Sequence, residues 1–154
     1  MSRASNAGLV AVVLGVAVLL KWHYSNASAD DLRYVLAPTA ALAGLLTGAT
    51  FVYETGAGYF SRELGTFIVA SCAGVNFLVI AWCMLGTMGV RVQRGRLAWL
   101  GASAGLAYAA TVIVNAARIA IVGRGAGVAE QLDWLPPGQV HRGLGVVGYL
   151  SALM

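Results

Sequence analysis

Long apolar runs broken by short polar segments set the rhythm of this chain. Residues 7–20 are almost wholly apolar and end on Lys21 and Trp22, side chains expected where a helix leaves hydrocarbon for headgroups. Further apolar runs cover residues 32–52, with Pro38 in the first turns, then 64–90 and 97–117. About 20 apolar residues suffice to cross a bilayer as a helix. The polar breaks "HYSNASADD", "YETGAGYFSREL" and "RVQRGR" read as loops. A final apolar piece, residues 143–154, would make only about 18 Å of helix and is too short to cross unaided. The predicted fold is all-α: a single-domain, multi-pass membrane bundle over residues 1–154, with four to six membrane helices and the last one short.

Composition strengthens that reading. Apolar residues make up 59% of the chain and charged residues 10%, and the mean hydropathy is +0.77, outside the range of ordinary soluble domains. Ten basic residues against six acidic ones fit loops that meet anionic lipid, so the bilayer is the first expected partner. No basic run is interleaved with aromatics, so nucleic acid is not expected. Two cysteines are too few for a disulfide framework or a cysteine-rich zinc site. No metal or cofactor pattern is present: "GLGVVG" follows no strand, and His23 is predicted on the membrane face opposite His141. No pattern sets an oligomeric state.

Arg91, Arg94 and Arg96 crowd one short connection, which the positive-inside tendency places in the cytoplasm. With the first helix retained, the N-terminus is then outside. Arg3, the first apolar run and Ala27-Ser28-Ala29 also mimic a cleavable leader, although the alanines stand far from that run.

So short a link makes the two helices it joins antiparallel neighbours. Cys72 would lie about 27 Å of helix before residue 90, and Arg118 about 31 Å after residue 97. The hairpin therefore brings both to one membrane face. The chain from Arg118 to His141 has no run able to cross, so His141 shares that face, the extracytoplasmic one. Tyr108, Thr111, Asn115 and Arg118 are spaced by three, four and three, one polar stripe expected to face the bundle interior. Cys72 and Asn76 are four apart and are expected on one helical face, while Cys83 is deeper and reads as packing. Glycine pairs at 44 and 48 and at 101 and 105 would allow close helix approach inside the bundle.

A thiol, a guanidinium and an imidazole at one rim form a nucleophilic set. The imidazole can take the thiol proton and return one to a leaving amine, while the guanidinium holds developing negative charge. Each residue also has a plain reading: Cys72 a packing thiol, Arg118 an interfacial cation, His141 a loop histidine. Asn76 and Asn115 read as interhelical hydrogen-bond formers that support the site. Arg124 and Arg142 on the same face would meet headgroups or contact substrate.

Cys72 in "SCAG", Arg118 in "NAARIA" and His141 beyond a proline-bearing loop resemble the signature of the exosortase/archaeosortase family, and most of all its compact bacterial exosortase K type. The resemblance covers residues 64–154. It implies a membrane cysteine transpeptidase of the bacterial cytoplasmic membrane that acts at the extracytoplasmic face. Its substrates would be membrane-anchored proteins bearing a C-terminal sorting signal of the PEP-CTERM kind. Cys72 would form a thioester, and an envelope acceptor would receive the protein. Two other classes fit the same polar positions: a small non-catalytic membrane subunit, and a transporter-like bundle binding an anion at Arg118.

Overall fold

A computed structural model describes residues 3–91 and 95–129 of the chain. Among the described residues the fold is mostly helical and contains three helices long and apolar enough to cross a membrane, spanning Asn6–Asn26, Ala70–Met88 and Arg96–Gly123. The expectation of four to six rested partly on residues 143–154, which lie outside the described residues. It rested also on residues 32–52, where the structure differs. The chain divides into two compact units, Met1–Ala27 with Gly74–Thr111, and Ser28–Ala73 with Val112–Met154.

The first unit is built from α1 (Arg3–Asn26), α3 (Val75–Met88) and the first half of α4 (Arg96–Ala129). On α1, Leu9, Val13 and Ala17 recur every four residues and are buried. Leu9 and Val13 share a core with Leu78, Trp82 and Ala107. Other apolar side chains point outward: Val18 of α1, Met84 of α3 and Leu97 of α4 are 67%, 58% and 85% exposed. Large apolar side chains facing outward are what a lipid solvent permits. α1 continues past the apolar run to Asn26, because backbone hydrogen bonds need no apolar side chain. Ser25 Oγ and Asn26 Nδ2 both donate to the Trp22 carbonyl, each at 2.8 Å, and close its last turn.

The connection from α3 to α4 is closed by one aromatic residue. Trp99 Nε1 donates to the Leu85 carbonyl at 2.9 Å, and Thr87 Oγ1 donates to the carbonyls of Cys83 (2.7 Å) and Met84 (3.0 Å). The Leu85 carbonyl, one of the last four of α3, thereby gains a side-chain donor. Gly89 makes room: a Cβ there would stand 2.6 Å from Trp99 Cδ1. Gly95, at φ 74°, then starts α4, its carbonyl accepting from the Trp99 N–H at 2.9 Å.

In the second unit, α2 (Arg33–Thr47) has 15 residues, about 22 Å of helix, which falls short of a bilayer crossing. It stops where Gly48 enters the left-handed region at φ 77° and donates its N–H to the Gly44 carbonyl at 2.8 Å. The pair Gly44 and Gly48 is thus a helix stop rather than a packing motif. The expected loop after it is an antiparallel meander of β1 (Val52–Glu54), β2 (Gly58–Ser61) and β3 (Thr66–Ile68). Tyr53 pairs with Tyr59, Tyr59 with Ile68, and Phe60 with Phe67. Aromatic and β-branched residues favour these strands, and Gly56 and Gly65 turn them at φ 77° and 56°. The described residues thus add a small three-stranded sheet to a mostly helical fold. Ile68, Leu32, Val35 and Leu36 are fully buried in this unit.

A polar clamp ties the α1–α2 loop to the meander. The Asp30 carboxylate accepts from the Tyr53 hydroxyl and from the Gly56 N–H (3.1 Å), while the Arg33 guanidinium lies 4.3 Å from the Tyr53 ring centroid. The Tyr53 hydrogen bond, then the Gly56 amide, hold the Asp30 carboxyl below its ordinary 3.8, and the same bond to Asp30 raises Tyr53 above 10.0. A lowered carboxyl pKa contributes stability above 3.8 that is lost as pH falls through the folded value. A raised phenol contributes below 10.0 and is lost as pH rises through its folded value.

Two outcomes follow from this packing. Tyr53→Phe moves the Asp30 carboxyl titration upward toward its ordinary value, read by carboxyl-carbon magnetic resonance across acidic pH. Gly58→Ala places a Cβ 2.3 Å from the Ile68 carbonyl at a φ of 117° and lowers stability by about 2 kcal/mol, read as an earlier thermal transition in detergent.

Candidate active site

Cys72 lies in a 3₁₀ turn, Ala70–Ala73, between β3 and α3. Its N–H donates to the Val69 carbonyl at 2.8 Å, and its side chain is half-buried with a free thiol. The turn exists because Gly74 adopts φ 65°, ψ 23° before α3 begins at Val75. A left-handed residue interrupts the helical progression. The expectation that Cys72 and Asn76 share a helical face therefore fails: a spacing of four aligns side chains only along an unbroken helix.

Asn76 is exposed in the first turn of α3, and its Oδ1 accepts from the Lys21 ammonium of α1. That is the interhelical hydrogen bond its residue type suggested. Lys21, read from sequence as a helix end, instead sits inside α1, 5.5 Å from the Tyr24 ring centroid. The missed signal was the reach of its side chain, long enough to find a polar partner on a neighbouring helix.

Along α4 the polar stripe turns inward as expected. Thr111 and Asn115 are fully buried, and Tyr108 and Arg118 are half-buried. The outward positions on the same helix are held by Leu106, Ile113 and Ile121, each more than half exposed. Thr111 Oγ1 is satisfied by the Ala107 carbonyl at 2.7 Å. The stripe extends one step further than the sequence reading took it. Ser103, 2% exposed, donates to the Leu100 carbonyl at 2.9 Å. Ser103, Ala107, Thr111 and Asn115 recur every four residues, a spacing that could have been found. Gly101 and Gly105, expected inside the bundle, lie on the exposed side of α4 with nothing within 4 Å of a Cβ added to either.

α4 also runs past the expected end at residue 117 to Ala129. Cys72, Asn115 and Arg118 all belong to the second compact unit. Gly123 of α4 packs against Leu64 in the β2–β3 turn, where a Cβ would stand 3.2 Å from Leu64 Cδ1. The same unit carries a groove of about 530 Å³ between α2 and the meander, lined by Ala37, Ala40, Ala41, Gly44, Phe51 and Tyr59. Cys83 behaves as packing, half-buried against the Leu78 and Trp82 core of the first unit. Arg124 lies on the last turns of α4, and its side chain is outside the described residues, as are His141 and Arg142.

The chain matches no known protein family, curated protein or solved structure.

Replacing Gly74 with alanine forces a Cβ into the left-handed region and costs about 1–2 kcal/mol. The expected outcome is a lower melting temperature in detergent, together with faster alkylation of Cys72 relative to Cys83 as the turn loosens, measured by mass spectrometry.

Proposed function

We propose that this chain is a membrane-embedded cysteine transpeptidase or peptidase of the exosortase/archaeosortase type. It acts on proteins carrying a C-terminal PEP-CTERM-like sorting signal, at the extracytoplasmic face of a bacterial cytoplasmic membrane. The observation that carries the reading is the assignment of Cys72 and Arg118, remote in sequence, to one compact unit. Cys72 lies in the turn at the start of the candidate span Ala70–Met88.

In this reading the Cys72 Sγ attacks the peptide carbonyl carbon, and the thiol proton passes to His141. The Arg118 guanidinium stabilises the oxyanion of the tetrahedral intermediate. His141 then gives the proton to the amine of the departing tail as the C–N bond breaks, leaving a thioester on Cys72. An acceptor nucleophile of the envelope attacks that thioester, its proton is taken by His141, and the thiol is restored. Asn115 supports from the buried stripe. The runner-up reading, a subunit that docks a partner through its polar stripe, is weakened by the burial of Thr111 and Asn115.

The test is processing of a co-expressed protein with such a tail, followed by mass shift and gel mobility. Cys72→Ala abolishes processing while Cys83→Ala retains it. Arg118→Lys lowers the rate by roughly 10²-fold, since a point charge replaces the guanidinium fork. Undiminished processing by the Cys72 variant would sink the assignment.

A further inference from the structure

The meander carries an apolar face whose depth in the membrane is set by its connections. β3 ends at Ile68, and after Val69 alone the candidate span Ala70–Met88 begins. Leu64 of the β2–β3 turn also packs on Gly123, late in α4 and next to Arg124 in sequence. The sheet is thus tied directly to the beginning of one apolar span and touches the late part of a second apolar helix. Helices of this composition exchange hydrocarbon for headgroups at such ends.

The two faces of the sheet differ. Strand alternation puts Tyr53, Tyr59 and Ile68 together on one face, where Ile68 is fully buried. The other face brings together Val52, Phe60 and Phe67, with the two phenylalanine rings stacked at 4.3 Å and exposed Glu54 at its margin beside Gly58. On that face Val52 is 62% and Phe67 45% exposed. A meander facing water would carry polar residues at these positions. Arg62, in the adjoining turn, is exposed as well.

We infer that the Val52–Phe60–Phe67 face is a phospholipid-docking surface. It rests on the bilayer at the headgroup–acyl boundary, with the rings at the depth of the first acyl carbons and Arg62 at the phosphates. Burial of apolar area and attraction of a cation to anionic lipid both favour this placement. The docked sheet would fix the height of the turn holding Cys72, which follows β3 directly. The inference depends on the spans being in a bilayer and is independent of the chemistry assigned to Cys72.

The experiment uses the full chain in vesicles of phosphatidylcholine and phosphatidylglycerol. A photoreactive benzoylphenylalanine replaces Phe67 in one sample and Tyr59 in another, and irradiated products are identified by mass spectrometry. Phospholipid adducts at position 67 and their absence at 59 are expected. Adducts at 67 only to the chain itself, or only solvent quenching, overturn the inference. Because benzoylphenylalanine is bulky, Phe67→Trp is followed in parallel as the fluorescence difference from the unsubstituted chain. A blue-shifted added emission, lost when the acyl chains carry bromine near their carbonyl ends, supports lipid contact. Added emission quenched by aqueous acrylamide, or by neither agent, counts against it.

Discussion

The structure depends on how α3 ends and α4 begins. A helix terminus leaves several carbonyls without partners, and in an apolar surrounding each is costly to leave so. Here Trp99 supplies a donor to the Leu85 carbonyl, one of the last four of α3, and Gly89 removes the one Cβ that would block the indole. The indole therefore serves two ends. It donates to a carbonyl of α3 and belongs to the first turn of α4. Arg96 adds a second tie, its Nη2 donating to Asn6 Oδ1 at 2.7 Å.

Once that hairpin is closed, the solvent decides which side chains face outward. In water the buried stripe of α4 would be its largest apolar residues. In this chain Ser103, Ala107, Thr111 and Asn115 are buried while Leu106, Ile113 and Ile121 are exposed. Small residues let backbones approach, and buried hydroxyls such as those of Ser103 and Thr111 can return their hydrogen bonds to their own helix. Such a helix gains little by burying leucine, because lipid solvates leucine as well as protein does. Its specificity comes from fitting small and polar groups together.

The second unit follows a different logic. Its helix stops short at Gly48, and the chain makes a meander whose turns rely on glycines with positive φ. The Asp30–Tyr53 contact holds that meander to the preceding loop through charge-assisted hydrogen bonding. Gly74 then separates the turn bearing Cys72 from the helix after it. Cys72 is consequently presented by an irregular turn, as chemically active side chains often are, while Cys83 lies on a regular helix and packs.

The sequence alone determined the apolar spans around α1, α3 and α4, the inward stripe on α4, and the packing role of Cys83. These follow from a 3.6-residue period and from chain length, which act locally and need no partner. The tight hairpin led to the expectation that Cys72, Arg118 and His141 share one membrane face. Cys72 and Arg118 fall in one compact unit, and His141 lies outside the described residues. Only tertiary structure decided that residues 52–68 are a sheet, since strands of three or four residues have no meaning without the neighbours that pair with them. It likewise decided that the glycines at 44 and 48 stop a helix and that Gly74 parts Cys72 from Asn76. A glycine carries no side chain to announce its φ, and that choice is made by the contacts the rest of the fold imposes.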